Sequence, residues 1–189
     1  MDQINRPRRL RQNNAVRRMC RETRLSPDSL IYPVFVDETL SGKRPIPALD
    51  GQFHYGLDAV DEAVKSCIDA GVGRCILFGL PAKKDAQGSS AWDSKGVVQK
   101  AIRAIKTKYP DFYVITDVCM CEYTDHGHCG ILCGHDVDND KTLEVLSKTA
   151  LSHAEAGADM VAPADMMDGR IAAIRASLDA HGFSNVPIM

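Results

Sequence analysis

Short apolar runs alternate with amphipathic segments along the chain. The runs are rich in β-branched or aromatic residues, which predicts buried strands. They cover residues 30–36 (LIYPVFV), 75–78 (CILF), 112–116 (FYVIT), 160–162 (MVA) and 186–189 (VPIM). Apolar residues recur at helical spacing in residues 57–70, 96–108, 142–156 and 170–180. We expect the first of these helices to end at Gly71, because glycine commonly follows a helix C-terminus.

Strands that alternate with helices predict an α/β fold, in which helices cover a parallel sheet. No GxGxxG or P-loop motif is present, so the sequence does not favour a nucleotide site. The pattern occurs in βα-barrels and in doubly wound sheets alike. A (β/α)8 barrel typically needs about 250 residues, and this chain offers four βα units and the start of a fifth strand. Because half a barrel would leave two sheet edges unpaired, the finish inside a strand pattern suggests truncation.

The composition is ordinary for a soluble globular protein, with 44% apolar residues and a formal net charge of -2. No apolar run reaches the roughly 18 residues that a membrane span requires. The N-terminus has basic residues but no apolar core of a secretory signal. The sequence therefore predicts a cytoplasmic protein without a membrane partner.

Arginines are concentrated in the first 24 residues, where they far outnumber the acidic residues. A nucleic-acid-binding arm is one interpretation of such a cluster. No aromatic residues are interleaved with these arginines, however, and the rest of the chain is acidic. An extended arm that packs on another subunit is the other interpretation.

Seven cysteines is a high number for a cytoplasmic chain of this size. Cys67 and Cys75 have apolar neighbours in the sequence and are expected to be small core residues. Four others, Cys119, Cys121, Cys129 and Cys133, lie within one short segment. In a reducing compartment this pattern indicates metal binding or catalysis before it indicates disulfides.

The segment 116–130 (TDVCMCEYTDHGHCG) directly follows the third predicted strand. Asp117, Cys119 and Cys121 share one parity, so in an extended chain they would project to the same side. Cys129 follows a turn that could return it to the other two cysteines. Three thiolates would supply three of the four tetrahedral positions of zinc and leave one open, as in catalytic sites.

Other interpretations of this segment remain open. A fourth ligand would make the zinc site structural, and the candidates are His126, His128, Cys133 and His135. The cysteines could also be free thiols or a redox pair. We expect His128 to lie near the metal or at a secondary metal site. Asp117 is expected to belong to the active site, although a loop hydrogen bond or a helix cap would also account for it.

TDVCMCEYTDHGHCGIL resembles the zinc-binding signature of the zinc-dependent porphobilinogen synthases (5-aminolevulinate dehydratases). RPRRLR, YPVFV, GSSAWDSKGVVQKAIRAIK, GHDVDND and VAPADMMDGRIAAIR match that family in order. The resemblance implies a lyase that condenses two 5-aminolevulinate molecules into porphobilinogen for tetrapyrrole synthesis. It also implies a (β/α)8 TIM barrel that assembles into a homo-oligomer, commonly an octamer. Residues 1–29 would form the arm, and residues 30–189 the N-terminal half of the barrel, truncated in or after the fifth strand.

The resemblance assigns roles to particular residues. Cys119, Cys121 and Cys129 would hold the catalytic zinc, while Asp117 would orient substrate or water. The arm would contact a neighbouring subunit, which favours an oligomer interface over nucleic acid. Where many members have a serine, this sequence has Ala164, which lacks the hydroxyl for a hydrogen bond to substrate. The two carboxylates that follow it, Asp165 and Asp168, are candidate substrate-binding groups.

Family members also carry two lysines that form Schiff bases with the substrates, and the resemblance puts both beyond Met189. The substrate-gripping arginines and the site of an allosteric magnesium would lie there too. The lysines within the chain lie in a loop or on polar helix faces, so we expect solvated charges and no turnover by this chain alone. The alternatives are a zinc-binding barrel fragment without catalysis and another metal-dependent barrel enzyme, such as an aldolase or hydrolase. Three thiolates argue against the last, because such sites usually use histidines and carboxylates.

Overall fold

Four of the predicted strands lie side by side in one largely parallel sheet in the computed structural model, which describes residues 4–189. The first three residues of the predicted arm lie outside the described residues. The strands are β1 (Tyr32–Asp37), β2 (Lys43–Pro45), β3 (Phe53–Tyr55), β4 (Arg74–Leu80), β5 (Tyr113–Val118), β6 (Leu132–Cys133), β7 (Asp136–Val137) and β8 (Met160–Pro163). The main sheet has the order β2-β3-β1-β4-β5-β8, and only β2 runs antiparallel to its neighbour. The α/β prediction with a parallel sheet is confirmed.

Four of the described α-helices follow strands as the periodicity predicts, whereas the first, in the arm, precedes the strands and was not predicted. The α-helices are α1 (Asn14–Met19), α2 (Val60–Asp69), α3 (Val97–Lys108), α4 (Asn139–Ala156) and α5 (Arg170–Ala180), with short 3-10 helices at Pro7–Arg11, Pro27–Ser29 and Ser89–Ala91. The helix α4 begins three residues before the prediction, because the Asp138 carboxylate accepts a hydrogen bond from the Lys141 amide and caps it. It ends at Gly157, whose φ of +105° suits a residue without a Cβ atom.

Helix packing divides the core into two clusters. One lies between the first strands and helices α2 and α3, and includes Val34, Leu77 and Ile102. The other lies around β8, α4 and α5, and includes Leu146, Val161 and Ile174. Cys67 and Cys75 are buried in the first cluster, as predicted. Because these strands are parallel, the C-terminal ends of β1, β4, β5 and β8 meet at one edge of the sheet.

The predicted fifth strand is the main departure from the expected elements. Residues 186–189 do not form a strand, but a single parallel bridge joins Ile188 to Val161 of β8. Two main-chain hydrogen bonds support it, from Val161 N to Pro187 O at 3.1 Å and from Met189 N to Val161 O at 3.0 Å. This segment therefore lies beside β8 in the parallel direction expected of the next strand.

The N-terminal segment differs from the sheet domain in its exposure. Within residues 4–29 no side chain is buried, and the apolar residues Ile4, Met19 and Leu25 are 85%, 76% and 87% exposed. The segment contains α1 and two short 3-10 helices. The domain boundary at residue 29 remains a prediction. Among the described residues, no helix is long and apolar enough to cross a membrane.

Candidate metal centre and active site

The chain turns sharply after β5 and brings three cysteines together. The ligand atoms of Cys119, Cys121 and Cys129 all lie within 4.8 Å of one another, and the Sγ atoms of Cys119 and Cys121 are 3.4 Å apart. Three thiol sulfurs at this spacing match the donor set that zinc prefers. The residues present therefore fit a zinc ion.

The chain bends at Met120, between Cys119 and Cys121. The strand β5 ends at Val118, and the Met120 carbonyl then accepts hydrogen bonds from the Tyr123 and Thr124 amides at 3.0 and 2.9 Å. Met120 is completely buried and anchors the turn in the core.

A second turn returns Cys129 to this site. The Thr124 hydroxyl donates a hydrogen bond to the His128 carbonyl at 2.8 Å, and Gly127 takes a φ of +75°. Beyond the cysteine, Gly130 packs so closely against α4 that a Cβ atom would lie 2.5 Å from Thr142 Oγ1. We refer to residues 119–129 as the cysteine loop.

The other candidate ligands do not join the cysteines. In the described part of the chain, the metal-binding group at this site contains three cysteines and no histidine. His128 and Cys133 are exposed, and the ring of His128 lies tilted by 35° to that of His126, with the ring centroids 5.5 Å apart. The arrangement thus supplies three protein ligands, the number typical of catalytic zinc sites. The role of His128 at a secondary metal site remains a prediction.

The thiols lie in surroundings that disfavour a bare negative charge. Burial raises the pKa of Cys121 to about 12, and burial raises the pKa of Cys119 as well. The Cys121 thiol also donates a hydrogen bond to Glu122 Oε2 at 3.3 Å. A bound dication removes this penalty, because coordinated thiols are deprotonated.

Asp117 is the last residue but one of β5, two residues before Cys119, and is buried. Burial raises the pKa of Asp117 to about 7, and the carboxylates of Glu122 and Asp165 contribute to this rise. Three carboxyl groups therefore share one electrostatic environment next to the cysteines. Glu122 was not among the residues singled out from the sequence, although it lies within the cysteine motif.

The two candidate substrate-binding carboxylates differ in their surroundings. Asp165 is buried, and its Oδ1 accepts a hydrogen bond from the Met167 amide at 2.7 Å. Burial raises the pKa of Asp165, although the Met167 amide and the Arg170 guanidinium oppose the rise. Asp168 is exposed, and its main chain bonds to Asn139. Ala164 is exposed at the end of β8, so a serine there would meet no steric barrier.

A cavity of about 450 Å³ opens beside the cysteines at the C-terminal edge of the sheet. It is lined by residues from the ends of β1 and β4 and from the cysteine loop, namely Asp37, Thr39, Leu80, Pro81, Lys84, Cys121 and Glu122. Active sites of parallel α/β proteins commonly lie at this edge. Within the described part of the chain, Lys84 is the one lysine that lines this cavity, a position that the loop pattern in the sequence did not indicate.

Comparisons with known proteins agree with this geometry. A family model described as delta-aminolevulinic acid dehydratase matches residues 4–189. Over 186 residues, the chain is 56% identical to the delta-aminolevulinic acid dehydratase of Ruminiclostridium josui, covering 98% of this chain and 91% of that protein. Its counterpart in Bacillus subtilis strain 168 is 48% identical over 186 residues, and the alignment covers 98% of this chain and 57% of that protein.

A solved structure is also similar to this chain. It is the crystal structure of delta-aminolevulinic acid dehydratase (porphobilinogen synthase) from Toxoplasma gondii ME49 in complex with the reaction product porphobilinogen. The TM-score is 0.93 at 36% identity, and the match covers 98% of this chain and 53% of that chain. The chain thus spans little more than half the length of the Bacillus and Toxoplasma proteins. These likenesses confirm the family resemblance and the predicted fold, a parallel sheet with helices that corresponds to part of a barrel.

Proposed function

The chain belongs to the delta-aminolevulinic acid dehydratase family, and on that basis we propose that the whole protein is a porphobilinogen synthase. This lyase would condense two molecules of 5-aminolevulinate into porphobilinogen with loss of water. The observation that carries the proposal for this chain is the convergence of three thiols at the C-terminal end of β5, beside a buried carboxyl group. Family membership supports the reaction, and the convergence supports a metal-assisted one.

Cys119, Cys121 and Cys129 would hold a zinc ion, which would supply Lewis-acid activation of a bound carbonyl group. The absence of a fourth ligand from the described metal-binding group favours this catalytic role over a structural zinc module. The three thiols also favour the synthase over an aldolase or hydrolase on the same fold, since those sites usually use histidines and carboxylates. We assign no residue of this chain to the magnesium that the family resemblance implies for the full-length protein.

Asp117 would orient the substrate beside the cysteines. The position of Asp117 at the end of β5 supports this role, because the residue is buried there and interacts electrostatically with Glu122 and Asp165. Asp165 would contact substrate from the end of β8, and Asp168 would do so from the following turn. At Ala164 the chain contributes no hydroxyl, so the hydrogen bond that a serine makes in other members would be missing.

We propose that the Schiff-base lysines of the whole protein lie outside this chain. A lysine that forms a Schiff base needs a neutral amine, which desolvation or a nearby cation provides. Several lysines here form ion pairs with carboxylates, for example Lys106 with Asp159 and Lys141 with Asp138. Lys84 lines the cavity but is exposed. This chain alone would therefore bind zinc without turning over substrate.

The whole protein would be a cytoplasmic homo-oligomer, with an octamer as the form that the family resemblance implies. The exposed apolar side chains of Ile4, Met19 and Leu25 in the arm support a subunit contact there. An arm that packs on a neighbouring subunit would remove these side chains from water.

Two measurements test the proposal. The first incubates the native protein with 5-aminolevulinate and borohydride and determines its intact mass. A reduced substrate adduct on a polypeptide well above 20.7 kDa is expected, whereas a native chain of this size without an adduct would overturn the synthase assignment.

The second measurement is the zinc content of the chain and of its cysteine variants. We expect one zinc per chain, lost in Cys121→Ser and retained in Cys133→Ser, whose side chain is exposed and lies outside the metal-binding group. Equal zinc content in the two variants would refute the assigned ligands.

A further inference from the structure

The loop that follows β4 is bound to the cysteine loop through the main chain of Asp85. The Asp85 amide donates a hydrogen bond to the Tyr123 carbonyl at 3.3 Å, and the Asp125 amide donates one to the Asp85 carbonyl at 3.1 Å. Together they form a parallel bridge between Asp85 and Thr124. The bridge therefore holds the stretch that connects Cys121 to Cys129.

The side chain of Asp85 fixes the shape of its own loop. Its Oδ1 accepts hydrogen bonds from the Gln87 amide at 2.9 Å and from the Ser89 amide at 3.0 Å. The Ser89 hydroxyl bonds to the other carboxylate oxygen. The hydrogen bonds from Ser89, followed by the one from Gln87, hold the pKa of Asp85 below its ordinary value. The Asp85 carboxylate thus stabilises residues 85–89 as a single turn.

This turn also packs against the buried part of the cysteine loop. Gly88 has a φ of +64°, and a Cβ atom there would lie 2.5 Å from Met120 Cε and 3.2 Å from Tyr123 Cβ. Met120 and Tyr123 are both buried, and Met120 separates Cys119 from Cys121 in the sequence. The turn therefore meets the cysteine loop through hydrogen bonds on one side and through close packing on the other.

We propose that Asp85 is a positioning residue for the three cysteines. Among the described residues, its hydrogen bonds go to partners other than the thiols and it does not line the cavity, so it acts through the turn 85–89 on the main chain of the cysteine loop. The inference rests on the proposed zinc site, because its functional consequence is the affinity of that site. Groups that hold metal ligands in place typically contribute 10- to 100-fold to metal affinity.

The test compares three variants of the full chain. Asp85→Ala removes all the acceptors, while Asp85→Asn retains an oxygen that can accept from both amides. Asp58→Ala is the matched control, because the Asp58 carboxylate also accepts from a main-chain amide and a serine hydroxyl, those of Gly42 and Ser41. Those partners precede β2 and do not belong to the cysteine loop.

Zinc affinity, measured by competition with a chelator, is the first readout. Asp85→Ala is expected to weaken zinc binding by about 10- to 100-fold, with Asp85→Asn within a few-fold of the unsubstituted chain. Asp58→Ala should leave the affinity unchanged. Equal affinities for Asp85→Ala and Asp58→Ala would overturn the proposal.

Hydrogen exchange of the metal-free chain is the second readout and is independent of zinc. Asp85→Ala should accelerate exchange in residues 119–129, above all at the Asp125 amide, whereas Asp58→Ala should not. A chain that binds no zinc at all would refute the metal site, and exchange would then decide alone whether Asp85 orders the cysteine loop. Unchanged exchange in Asp85→Ala refutes the positioning role in either case.

Discussion

Asn139 and Asp168 are joined by a pair of hydrogen bonds between the side-chain amide of Asn139 and the main chain of Asp168. Asn139 Oδ1 accepts from the Asp168 amide at 2.8 Å, and Asn139 Nδ2 donates to the Asp168 carbonyl at 3.2 Å. The first residue of α4 thereby holds the loop that follows β8. That loop also carries Asp165, the buried carboxylate near Asp117.

Replacing Asn139 by alanine should increase the local opening of this loop, while the stability of the whole protein falls only slightly. Each lost hydrogen bond is worth about 1 kcal/mol, and water can replace part of it because Asp168 is exposed. Hydrogen exchange of residues 164–169 should accelerate, while the free energy of unfolding falls by no more than about 2 kcal/mol. Asn13→Ala is the control, since it removes the hydrogen bond to the Val16 amide that caps α1 in the arm. Equal exchange at residues 164–169 in the two variants would contradict this role.

Gly79→Ala is expected to destabilise the fold through overpacking. A Cβ atom at Gly79 would lie 2.6 Å from Val98 Cγ2 and 2.7 Å from Tyr123 Oη, inside the core behind the cysteine loop. Overpacking of this kind typically costs about 1–3 kcal/mol. Gly73→Ala is the matched control, because a Cβ atom there meets no atom within 4 Å. Denaturant unfolding should separate the two variants, and a Gly79→Ala chain as stable as Gly73→Ala would show that the core yields to the extra methyl group.

Much of the fold could be predicted from the sequence, because long-range packing and local pattern agree in its main elements. The strands β1, β4, β5 and β8 are continuous apolar runs, and the helices between them have one apolar face. The strands β2 and β3 could not be predicted in the same way. They have three residues each, and those of β2 (Lys43–Pro45) are all exposed, so no buried face produces an alternating pattern.

The candidate site was predictable only as far as its residues are close in sequence. Cys119, Cys121 and Cys129 lie within one segment of chemically distinctive residues, so their number and type indicated a metal. The contact between Asp85 and Thr124 joins residues 39 positions apart. Neither segment contains a sequence pattern that predicts it. Lys84 likewise reaches the cavity through the path of its loop, which local sequence does not determine.

Zinc should stabilise the folded chain through its three cysteines. A ligand that binds only the folded state adds RT ln(1 + [L]/Kd), or about 2.7 kcal/mol at a free concentration of 100 Kd. Thermal unfolding with zinc and with a chelator should therefore show a shift in Tm for the unsubstituted chain and for Cys133→Ser. The shift should vanish in Cys129→Ser. A Tm shift that persists in Cys129→Ser but is absent in Cys133→Ser would contradict the assigned ligands and indicate that the exposed Cys133 binds the metal instead.

His153 should make the stability of the fold depend on pH in the acid range. Its ring is completely buried within α4, and neither ring nitrogen has a hydrogen-bond partner among the described residues. Burial lowers the pKa of His153 from 6.5 to about 3, because the charged form would lose its hydration. Below about pH 6.5 the His153 ring therefore binds a proton in the unfolded chain, whereas in the folded chain it stays neutral down to about pH 3. The stabilisation is complete above pH 6.5 and falls by up to about 1.4 kcal/mol per pH unit between pH 6.5 and 3.

His153→Leu removes this titration while keeping an apolar side chain in the same place. We expect the variant to lose less stability than the unsubstituted chain when the pH falls from 6.5 to 4, as measured by urea unfolding of the metal-free, reduced protein. Absence of zinc matters here, since thiol ligands would add their own pH dependence. His181→Gln is the control, because His181 is exposed and its ring forms a hydrogen bond with the Ser177 carbonyl. Parallel pH profiles for His153→Leu and the unsubstituted chain would show that His153 is protonated equally in the folded and unfolded states, contrary to its burial.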